Sequence, residues 1–205
     1  MTEKLKKLYR IEKDDVGSAA EVLVNAFKES PVWKAIYGDS TPEQKKAIFE
    51  IVVRYGLKYG EVYAPSENLE GVAAWLPGQY AEITVSRIFA SGLVSQILSM
   101  GLKNVKKYFE IFQPIEQDRQ EYMGGNPYIY LEIIGVARRF QGQGHGRMLL
   151  EALIEKSKKQ GLPVYLETDT EENVSIYERF GFDVIKMVEL SVIELPYWEM
   201  VRYPQ

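Results

Sequence analysis

The feature that most constrains the fold of this chain is the stretch from Glu132 to Leu150, in which an apolar run gives way to three alternate glycines. The run up to Val136 is rich in β-branched residues, which favour strands, and the residues after Gly146 have helical apolar spacing. The order predicts a strand, a glycine turn and a helix N-terminus. Backbone N–H groups at the positive end of that helix would bind an anion, which we expect to be a phosphate.

The spacing of the glycines at 142, 144 and 146 discriminates between phosphate ligands. A P-loop requires Gly-Lys-Ser/Thr, whereas Arg147 and Met148 follow the third glycine, so nucleotide hydrolysis is disfavoured. A dinucleotide-binding turn requires Gly-x-Gly-x-x-Gly, and the chain has Gly-x-Gly-x-Gly. Glu167 nevertheless lies about twenty residues further on, where a ribose-binding acid is expected. An NAD(P)-binding oxidoreductase therefore stays open as an alternative.

A third pattern fits the loop better. Gln141-Gly-Gln-Gly-His-Gly146 resembles the coenzyme A pyrophosphate loop of the GNAT N-acetyltransferase superfamily. A second landmark, Asn173-Val-Ser-Ile-Tyr-Glu-Arg-Phe-Gly-Phe182, resembles the GNAT signature in which a short helix presents a tyrosine to the thioester sulfur. With the intervening helix and strand, the resemblance covers about residues 128 to 188. The residues in and around both motifs resemble most closely the puromycin N-acetyltransferase-like branch.

The resemblance implies an α/β fold with a mixed, partly parallel central sheet flanked by helices. It implies transfer of the acetyl group of acetyl-CoA directly to a primary amine of a small molecule or peptide. The strands on either side of the glycine loop would splay apart around the pantetheine arm, with the pyrophosphate on the loop. The residues expected to bind the coenzyme are Ile134, Gly135, Val136, Gln141, Gly142, Gln143, Gly144, His145, Gly146, Arg147 and Asn173.

Three of these residues have alternative interpretations. Arg147 is either a phosphate partner or a solvated charge on the helix face. His145 occupies the variable position between glycines and is expected to contact the rim of the coenzyme or solvent, not to act as a catalyst. Asn173 either hydrogen-bonds the coenzyme arm or caps the short helix that contains it.

Direct acetyl transfer needs a base for the amine and a proton for the departing thiolate. Tyr177, in the second motif, is the expected acid, because a phenol with a pKa near 10 is protonated at neutral pH. Glu132 is the expected base, and on simple alternation it shares a sheet face with Tyr128 and Tyr130, although a bulge near Ile134 would change that face. Glu167 and a chain of water molecules remain open as alternatives.

The composition of the chain excludes or disfavours several other classes of function. The 205 residues are 46% hydrophobic and 26% charged, which is typical of a globular protein, and we expect one domain over residues 1–205. The absence of cysteine excludes disulfides, thiolate metal sites and an acetyl-cysteine intermediate, and no metal is expected. The net charge of −4 disfavours a broad nucleic-acid surface. With no secretory signal in the first fifteen residues and no apolar run of about 20, we expect a cytoplasmic protein without a membrane partner, and a homodimer stays open.

The remaining chain predicts alternating strands and helices with a closing pair of strands around Leu195-Pro196. Asp14 and Asp15 are expected to cap the first helix, and Thr41-Pro42-Glu43-Gln44 has the pattern of a capping box. About fifty residues, 78 to 126, separate the third and fourth predicted strands and keep helical apolar spacing. This helical insertion is either a wall of the acceptor pocket or extra cover for the sheet. A coenzyme A-binding sensor without catalysis is the third functional class left open.

Overall fold

The computed structural model describes residues 2–205, and its centre is a seven-stranded sheet. The strands are β1 (Tyr9–Arg10), β2 (Glu61–Ala64), β3 (Gly71–Pro77), β4 (Ile129–Val136), β5 (Val164–Thr168), β6 (Asp183–Leu190) and β7 (Leu195–Arg202). Their order across the sheet is β1-β2-β3-β4-β5-β7-β6. Every neighbouring pair is antiparallel except β4 and β5, which are parallel. The predicted fold class, a mixed and partly parallel α/β sheet, is confirmed.

Helices cover both faces of this sheet. They are α1 (Val16–Ala26), α2 (Pro31–Tyr37), α3 (Pro42–Tyr59), α4 (Val85–Ala90), α5 (Val94–Met100), α6 (Leu102–Met123), α7 (His145–Gln160) and α8 (Glu171–Arg179). Side chains of α1 and α3 pack with Val62, Val72 and Ala74 on one face, whereas α7 packs through Leu149 and Leu153 on the other. Within residues 2–205, no helix combines the length and apolar character that crossing a membrane requires.

The local signals set several of these boundaries. Thr41 and Gln44 form the predicted capping box at the start of α3, since Thr41 Oγ1 accepts from the Gln44 N–H at 3.3 Å and Gln44 Oε1 accepts from the Thr41 N–H at 3.0 Å. Gly161, with φ +66°, ends α7 in the left-handed conformation that glycine adopts without strain.

One predicted boundary has the correct position but lacks the expected side-chain cap, and another is wrong. Asp15 is the N-cap residue of α1. The Asp15 carboxylate accepts from the Glu12 N–H within a 3₁₀ turn at Lys13–Asp15, so neither aspartate caps α1 by its side chain. The closing turn occupies residues 191–194, and Pro196 lies inside β7. Proline fits there because β5 pairs with β7 only from Trp198 onward, so the missing N–H interrupts no ladder on that side.

The parallel strands β4 and β5 pair over only two residues. Ile129 pairs with Val164 and Tyr130 with Tyr165, and no further pairs follow toward the carboxyl ends. No strand therefore pairs with the β5-facing edge of β4 from Leu131 to Val136. The splay places a gap between two central strands, immediately before the glycine turn.

A β-bulge lies on β4 at Glu132. Ala74 of β3 pairs with Ile133 and Trp75 pairs with Leu131, which leaves Glu132 without a partner. The bulge is therefore two residues earlier than the position near Ile134 predicted from the family resemblance. Because it adds one residue, Tyr130 and Ile133 both face α3, while Leu131 and Ile134 both pack toward α7.

The insertion between β3 and β4 is helical, as predicted, and consists of α4, α5 and α6 after a 3₁₀ turn at Gly78–Tyr80. Leu93, Met100, Ile111 and Ile115 of the insertion pack with Ile48, Ile51 and Tyr55 of α3. The insertion therefore lies on the α3 face of the sheet, next to Tyr130, Glu132 and Ile133 of β4.

Candidate active site

The glycine turn presents free backbone donors at the start of α7. Gly142 has φ +75° and Gly144 has φ +89°, conformations that other residues adopt only with strain. Gly144 is the N-cap and offers no side-chain acceptor. The first intrahelical bond runs from Met148 N–H to Gly144 C=O at 3.0 Å, so the N–H groups of residues 145–147 have no partner within the helix. The turn is therefore suited to an anion.

The two glutamines of this turn brace its backbone. Gln141 Nε2 donates to the Val136 carbonyl at 3.1 Å, and Gln143 Nε2 donates to the Arg139 carbonyl at 3.0 Å. The Gln141 N–H also donates to Arg138 C=O, at 3.3 Å, which leaves residues 142–147 as the segment with free N–H groups. These side chains hold the shape of the loop and do not project as ligands.

A groove of about 700 Å³ runs from the glycine turn along the free edge of β4 to α8. The predicted coenzyme residues that line it are Ile134, Gly135, Val136, Gln141, Gly142, Gly144, His145, Gly146, Arg147 and Asn173, together with the predicted acid Tyr177. Gln143 and Glu132 do not line the groove. The two motifs recognised in the sequence thus form one continuous surface, and Glu132 belongs to a different cavity.

Two glycines permit the close packing around this groove. A Cβ on Gly135 would lie 2.9 Å from the Phe27 ring and 3.0 Å from Ala26 Cβ, so the end of α1 packs directly on β4. A Cβ on Gly146 would approach Val136 Cγ2 at 3.4 Å, which keeps the first turn of α7 close to the strand. Gly135 is required by packing, whereas Gly142 and Gly144 are required by backbone conformation, and a Cβ on Gly146 would make only an ordinary contact.

The short helix α8 carries Asn173 and Tyr177 on its groove face. Thr170 is the N-cap, because its Oγ1 accepts from the Asn173 N–H at 3.2 Å. The Asn173 side chain is therefore not the cap, and it lines the groove. The Tyr177 ring is half-buried and packs edge-on against Phe182 at 5.7 Å between centroids. Burial and the nearby Asp169 carboxylate raise the pKa of Tyr177 above its usual value, so its hydroxyl is protonated at neutral pH.

Arg147 and His145, the polar side chains at the start of α7, differ in their hydrogen-bond partners. Arg147 Nε donates to Glu151 Oε1 at 2.7 Å, and its side chain is 73% exposed. It is therefore a helix-face charge with an intrahelical partner. His145 contacts Phe140 edge-on at 5.8 Å, and its buried Nδ1 has no hydrogen-bond partner. An orphaned ring nitrogen beside unpaired N–H groups is consistent with a polar ligand at this end of the groove.

Glu132 lies in a second cavity, of about 80 Å³, between β4 and the insertion. None of the hydrogen bonds formed within residues 2–205 ends on its carboxylate. Burial raises the pKa of Glu132 to about 7, an effect that Arg119 opposes and that Glu167 and Glu116 reinforce. A carboxyl group with a pKa near neutrality is suited to accept a proton at physiological pH.

Glu167 is engaged by two neighbours in the same cavity. Arg119 Nη1 donates to its Oε1 at 2.7 Å, and Tyr130 Oη donates to its Oε2 at 2.8 Å. The Arg119 guanidinium also stacks 4.2 Å above the Tyr130 ring. The sequence analysis missed Arg119, although it occupies the i+4 stripe of α6 formed by Ile111, Ile115 and Met123, a position that faces the core.

Asp169, directly after β5, was also missed. Its Oδ2 accepts hydrogen bonds from the Ser30 hydroxyl and from the Val32 N–H. Ser30 is the N-cap of α2. These contacts fix the start of α2 across the splay from β4, and Ser30 and Asp169 both line the groove. No local sequence signal joins residues that are so far apart in the chain.

Comparison with known proteins places this arrangement in a family. The family model described as the acetyltransferase (GNAT) family matches residues 109–182. An uncharacterized N-acetyltransferase of Schizosaccharomyces pombe is 30% identical over 206 residues, covering 96% of this chain and 83% of the relative. The chain belongs to the GNAT acetyltransferase family. It is an acetyl-CoA-dependent acetyltransferase, as the sequence analysis predicted.

Solved GNAT-type structures share the fold. A structure described as histone acetyltransferase HPA2 and related acetyltransferase from Corynebacterium glutamicum has a TM-score of 0.67 at 17% identity, covering 97% of this chain and 96% of that one. An N-acetyltransferase of Staphylococcus aureus has a TM-score of 0.63 at 16% identity, with 95% and 98% covered. At these identities, the likeness concerns the fold alone. The puromycin-like branch stays a prediction.

GNAT membership and the geometry together count against the dinucleotide alternative. The expected ribose acid, Glu167, faces the insertion and is bound by Arg119 and Tyr130, away from the glycine turn. Among residues 2–205, no group of three or more His, Asp or Glu side chains is placed to hold a metal ion.

Proposed function

We propose that this acetyltransferase moves the acetyl group of acetyl-CoA directly to a primary amine, with Glu132 as the base and Tyr177 as the donor to the departing thiolate. The proposal rests on one observation: the splayed strands β4 and β5, with the residue directly after β5, contribute both to the groove and to the Glu132 cavity. β4 contributes Ile134 to the groove and Ile133 to the Glu132 cavity. β5 is followed by Asp169 on the groove side and contributes Glu167 to the cavity. A donor and an acceptor would thus meet between the two strands.

The coenzyme occupies the groove in this proposal. Its pyrophosphate accepts hydrogen bonds from the N–H groups of residues 142–147, where the dipole of α7 favours negative charge. Its pantetheine arm pairs with the free edge of β4 at Ile134, Gly135 and Val136. The Asn173 side chain, released from capping by Thr170, hydrogen-bonds this arm. His145 Nδ1 supplies a further polar contact near the pyrophosphate.

Glu132 is the better base of the two carboxylates considered. Both oxygens of Glu167 already accept hydrogen bonds, and its ion pair with Arg119 would be broken by protonation. Glu132 has free lone pairs and a pKa of about 7. It would take the proton from the amine as the nitrogen adds to the acetyl carbon, when that nitrogen becomes acidic.

Tyr177 acts mainly as a hydrogen-bond donor in this scheme. Its raised pKa keeps the phenol neutral but also makes full proton transfer to a thiolate, with a pKa near 8.5, unfavourable. A neutral phenol nonetheless stabilises the negative charge that develops on sulfur as the carbon–sulfur bond breaks. Solvent can protonate the thiolate after it departs.

Two measurements test this function. Isothermal titration should show binding of acetyl-CoA and CoA and no binding of NAD. Thiol release in the presence of a panel of primary amines should then show turnover that depends on the amine. Tight coenzyme binding without amine-dependent thiol release would contradict the proposed transfer to amines.

A further inference from the structure

The Glu132 cavity adjoins a second, apolar cavity beneath the insertion, which we call the apolar extension. The extension, of about 40 Å³, is bounded by α3, α4, α5 and α6. Its lining includes Ile48, Ile51, Ile88, Ile97, Met100 and Val105, and it shares Trp33, Val52, Ile83, Tyr108 and Phe109 with the Glu132 cavity. The two adjoining cavities therefore place an acidic end at β4 next to an apolar end within the insertion.

The acidic end carries excess negative charge. Glu116, Glu132 and Glu167 line it, and Arg119 is the cation among its lining residues. Burial raises the pKa of Glu116 to about 6, which shows that Arg119, 3.8 Å from it, does not fully compensate its charge. Glu116 Oε1 is buried without a hydrogen-bond partner, and so is Nε of Arg119, a residue that is 5% exposed. The Glu116 oxygen is an acceptor that a cation with N–H donors would satisfy, whereas Arg119 Nε is itself a donor and such a cation would leave it unpaired.

The walls between the two ends are aromatic. Trp33, Tyr108, Phe112 and Tyr197 line the acidic cavity, and aromatic faces attract an ammonium group while they also pack against apolar carbon. None of the lining residues of either cavity is a lysine, and the carboxylates are not placed to hold a metal ion. The chemistry of the walls therefore favours an organic cation with an apolar substituent.

We propose that the acceptor is a small primary amine with an apolar alkyl or aryl tail and no carboxylate. This inference rests on the proposed function and deepens it by naming the acceptor class. The amine binds as its ammonium ion between Glu116 and Glu132, next to the splay of β4 and β5, and the tail extends under the insertion toward Ile97. The ammonium ion loses one proton to solvent before the neutral nitrogen adds to the acetyl carbon, and Glu132 takes the second proton during that addition. A peptide or an aminonucleoside exceeds the combined cavities, and an amino acid would place its carboxylate against Glu116 and Glu132.

A series of linear amines from ethylamine to octylamine, assayed by thiol release, measures the length of the tail site. The value of kcat/KM should rise about fourfold per methylene until the apolar extension is full, and then fall. Phenethylamine should react at least ~10-fold better than phenylalanine, because like charges within a site are strongly unfavourable. Peptide N-termini or phenylalanine as the better acceptors would overturn the proposal.

Variants of one α5 residue locate the tail. Ile97→Ala should move the optimum to longer amines, and Ile97→Phe should move it to shorter ones. Leu98→Ala is the matched control, since Leu98 is 67% exposed on the same helix and should leave the optimum unchanged. If both Ile97 variants melt normally and keep the parent's optimum amine length, the placement of the tail would be overturned.

A variant at the acidic end locates the ammonium group. Glu116→Gln should raise the KM for phenethylamine by ~10-fold and leave the KM for acetyl-CoA unchanged. Glu121→Gln, an exposed position on the same helix, serves as the control. An unchanged amine KM would contradict the proposed site. If no amine of any class released thiol, the proposed transfer itself would fail, whereas turnover confined to peptides or amino acids would refute only the acceptor class.

Discussion

At the scale of single residues, Glu132 illustrates how a site residue can weaken the fold that contains it. The bulge removes it from the regular pairing of β3 and β4, and burial raises its pKa to about 7. A carboxyl group whose pKa is higher in the folded than in the unfolded protein makes folding less favourable when it is ionised. Its effect on stability is therefore negligible below about pH 4.5, becomes more destabilising as the pH rises to about 7, and is constant above that pH.

The first prediction concerns Glu132→Gln. We expect kcat/KM to fall by about 10²-fold or more, because the amide cannot accept the proton of the amine. We also expect a higher melting temperature than the parent at pH 8 and little difference at pH 4.5, because only the ionised carboxylate is destabilising. The parent's kcat/KM should depend on a group that titrates near pH 7, and this dependence should be absent from the variant. Equal activity, or a stability gain that is independent of pH, would refute the role assigned to Glu132.

The second prediction concerns Tyr177→Phe. The ring packing against Phe182 survives, so we expect an unchanged melting temperature and unchanged affinity for acetyl-CoA. The rate should fall about 10²-fold when chemistry is the slow step, the effect of removing one donor to a developing anion. Tyr122→Phe is the matched control, since its hydroxyl contacts Tyr203 on the exposed surface. Parent-like turnover of Tyr177→Phe would reduce this tyrosine to a packing role.

At the scale of secondary structure, α7 has a left-handed glycine at each end. Gly144 at its N-terminus has φ +89° and Gly161 at its C-terminus has φ +66°, and a Cβ would meet no atom within 4 Å at either position. Their conformational demands are alike, but only Gly144 lines the groove. This pair separates backbone strain from ligand binding.

The third prediction uses that pair. Gly144→Ala and Gly161→Ala should each destabilise the protein by about 1–2 kcal/mol through the strain of a left-handed alanine. Only the Gly144 variant should lose affinity for CoA, by tenfold or more, because its altered turn misplaces the N–H groups that hold the pyrophosphate. Calorimetry gives both quantities. Equal affinities in the two variants would contradict the phosphate site at the start of α7.

The fourth prediction concerns the contact between α6 and β5. Arg119 and Glu167 form a buried ion pair whose side chains are 6% and 4% exposed. Arg119→Met should cost about 3–5 kcal/mol, because it leaves a buried carboxylate without its cation. The double variant Arg119→Met with Glu167→Gln should recover most of this loss. Denaturant unfolding of the four proteins measures the coupling, and an additive double variant would show that the pair does not join the insertion to the sheet.

At the scale of the whole molecule, the local motifs predicted the groove well. The strand, the glycine turn and α7 follow from residue types whose conformational preferences act over a few positions. The Glu132 cavity was not predictable in the same way. It depends on a bulge whose position is set by pairing with β3, and on Arg119, whose partner lies 48 residues away. The contact of Asp169 in the groove, with a partner 139 residues away, was equally hidden from local patterns.

Two predictions about the ends of secondary-structure elements, at the start of α1 and at the turn before β7, differ from the structure. The pair Asp14 and Asp15 has the composition of a helix cap, but the Asp15 carboxylate is occupied by the Glu12 N–H and by the Tyr9 hydroxyl. Pro196 has the composition of a turn, but the end of β5 leaves room for it inside β7. For Asp15 a competing local hydrogen bond outweighs the capping preference, whereas for Pro196 the pairing of the strands does so.

A crystal structure of the protein with CoA and a small alkylamine tests the central claim most directly. The account predicts the pyrophosphate on the N–H groups of residues 142–147 and the pantetheine along the free edge of β4. It predicts the sulfur within hydrogen-bond distance of Tyr177 Oη and the amine nitrogen against Glu132, with the two ligands meeting at the splay. A coenzyme bound outside this groove, or a sulfur that lies away from both Tyr177 and the Glu132 cavity, would contradict it.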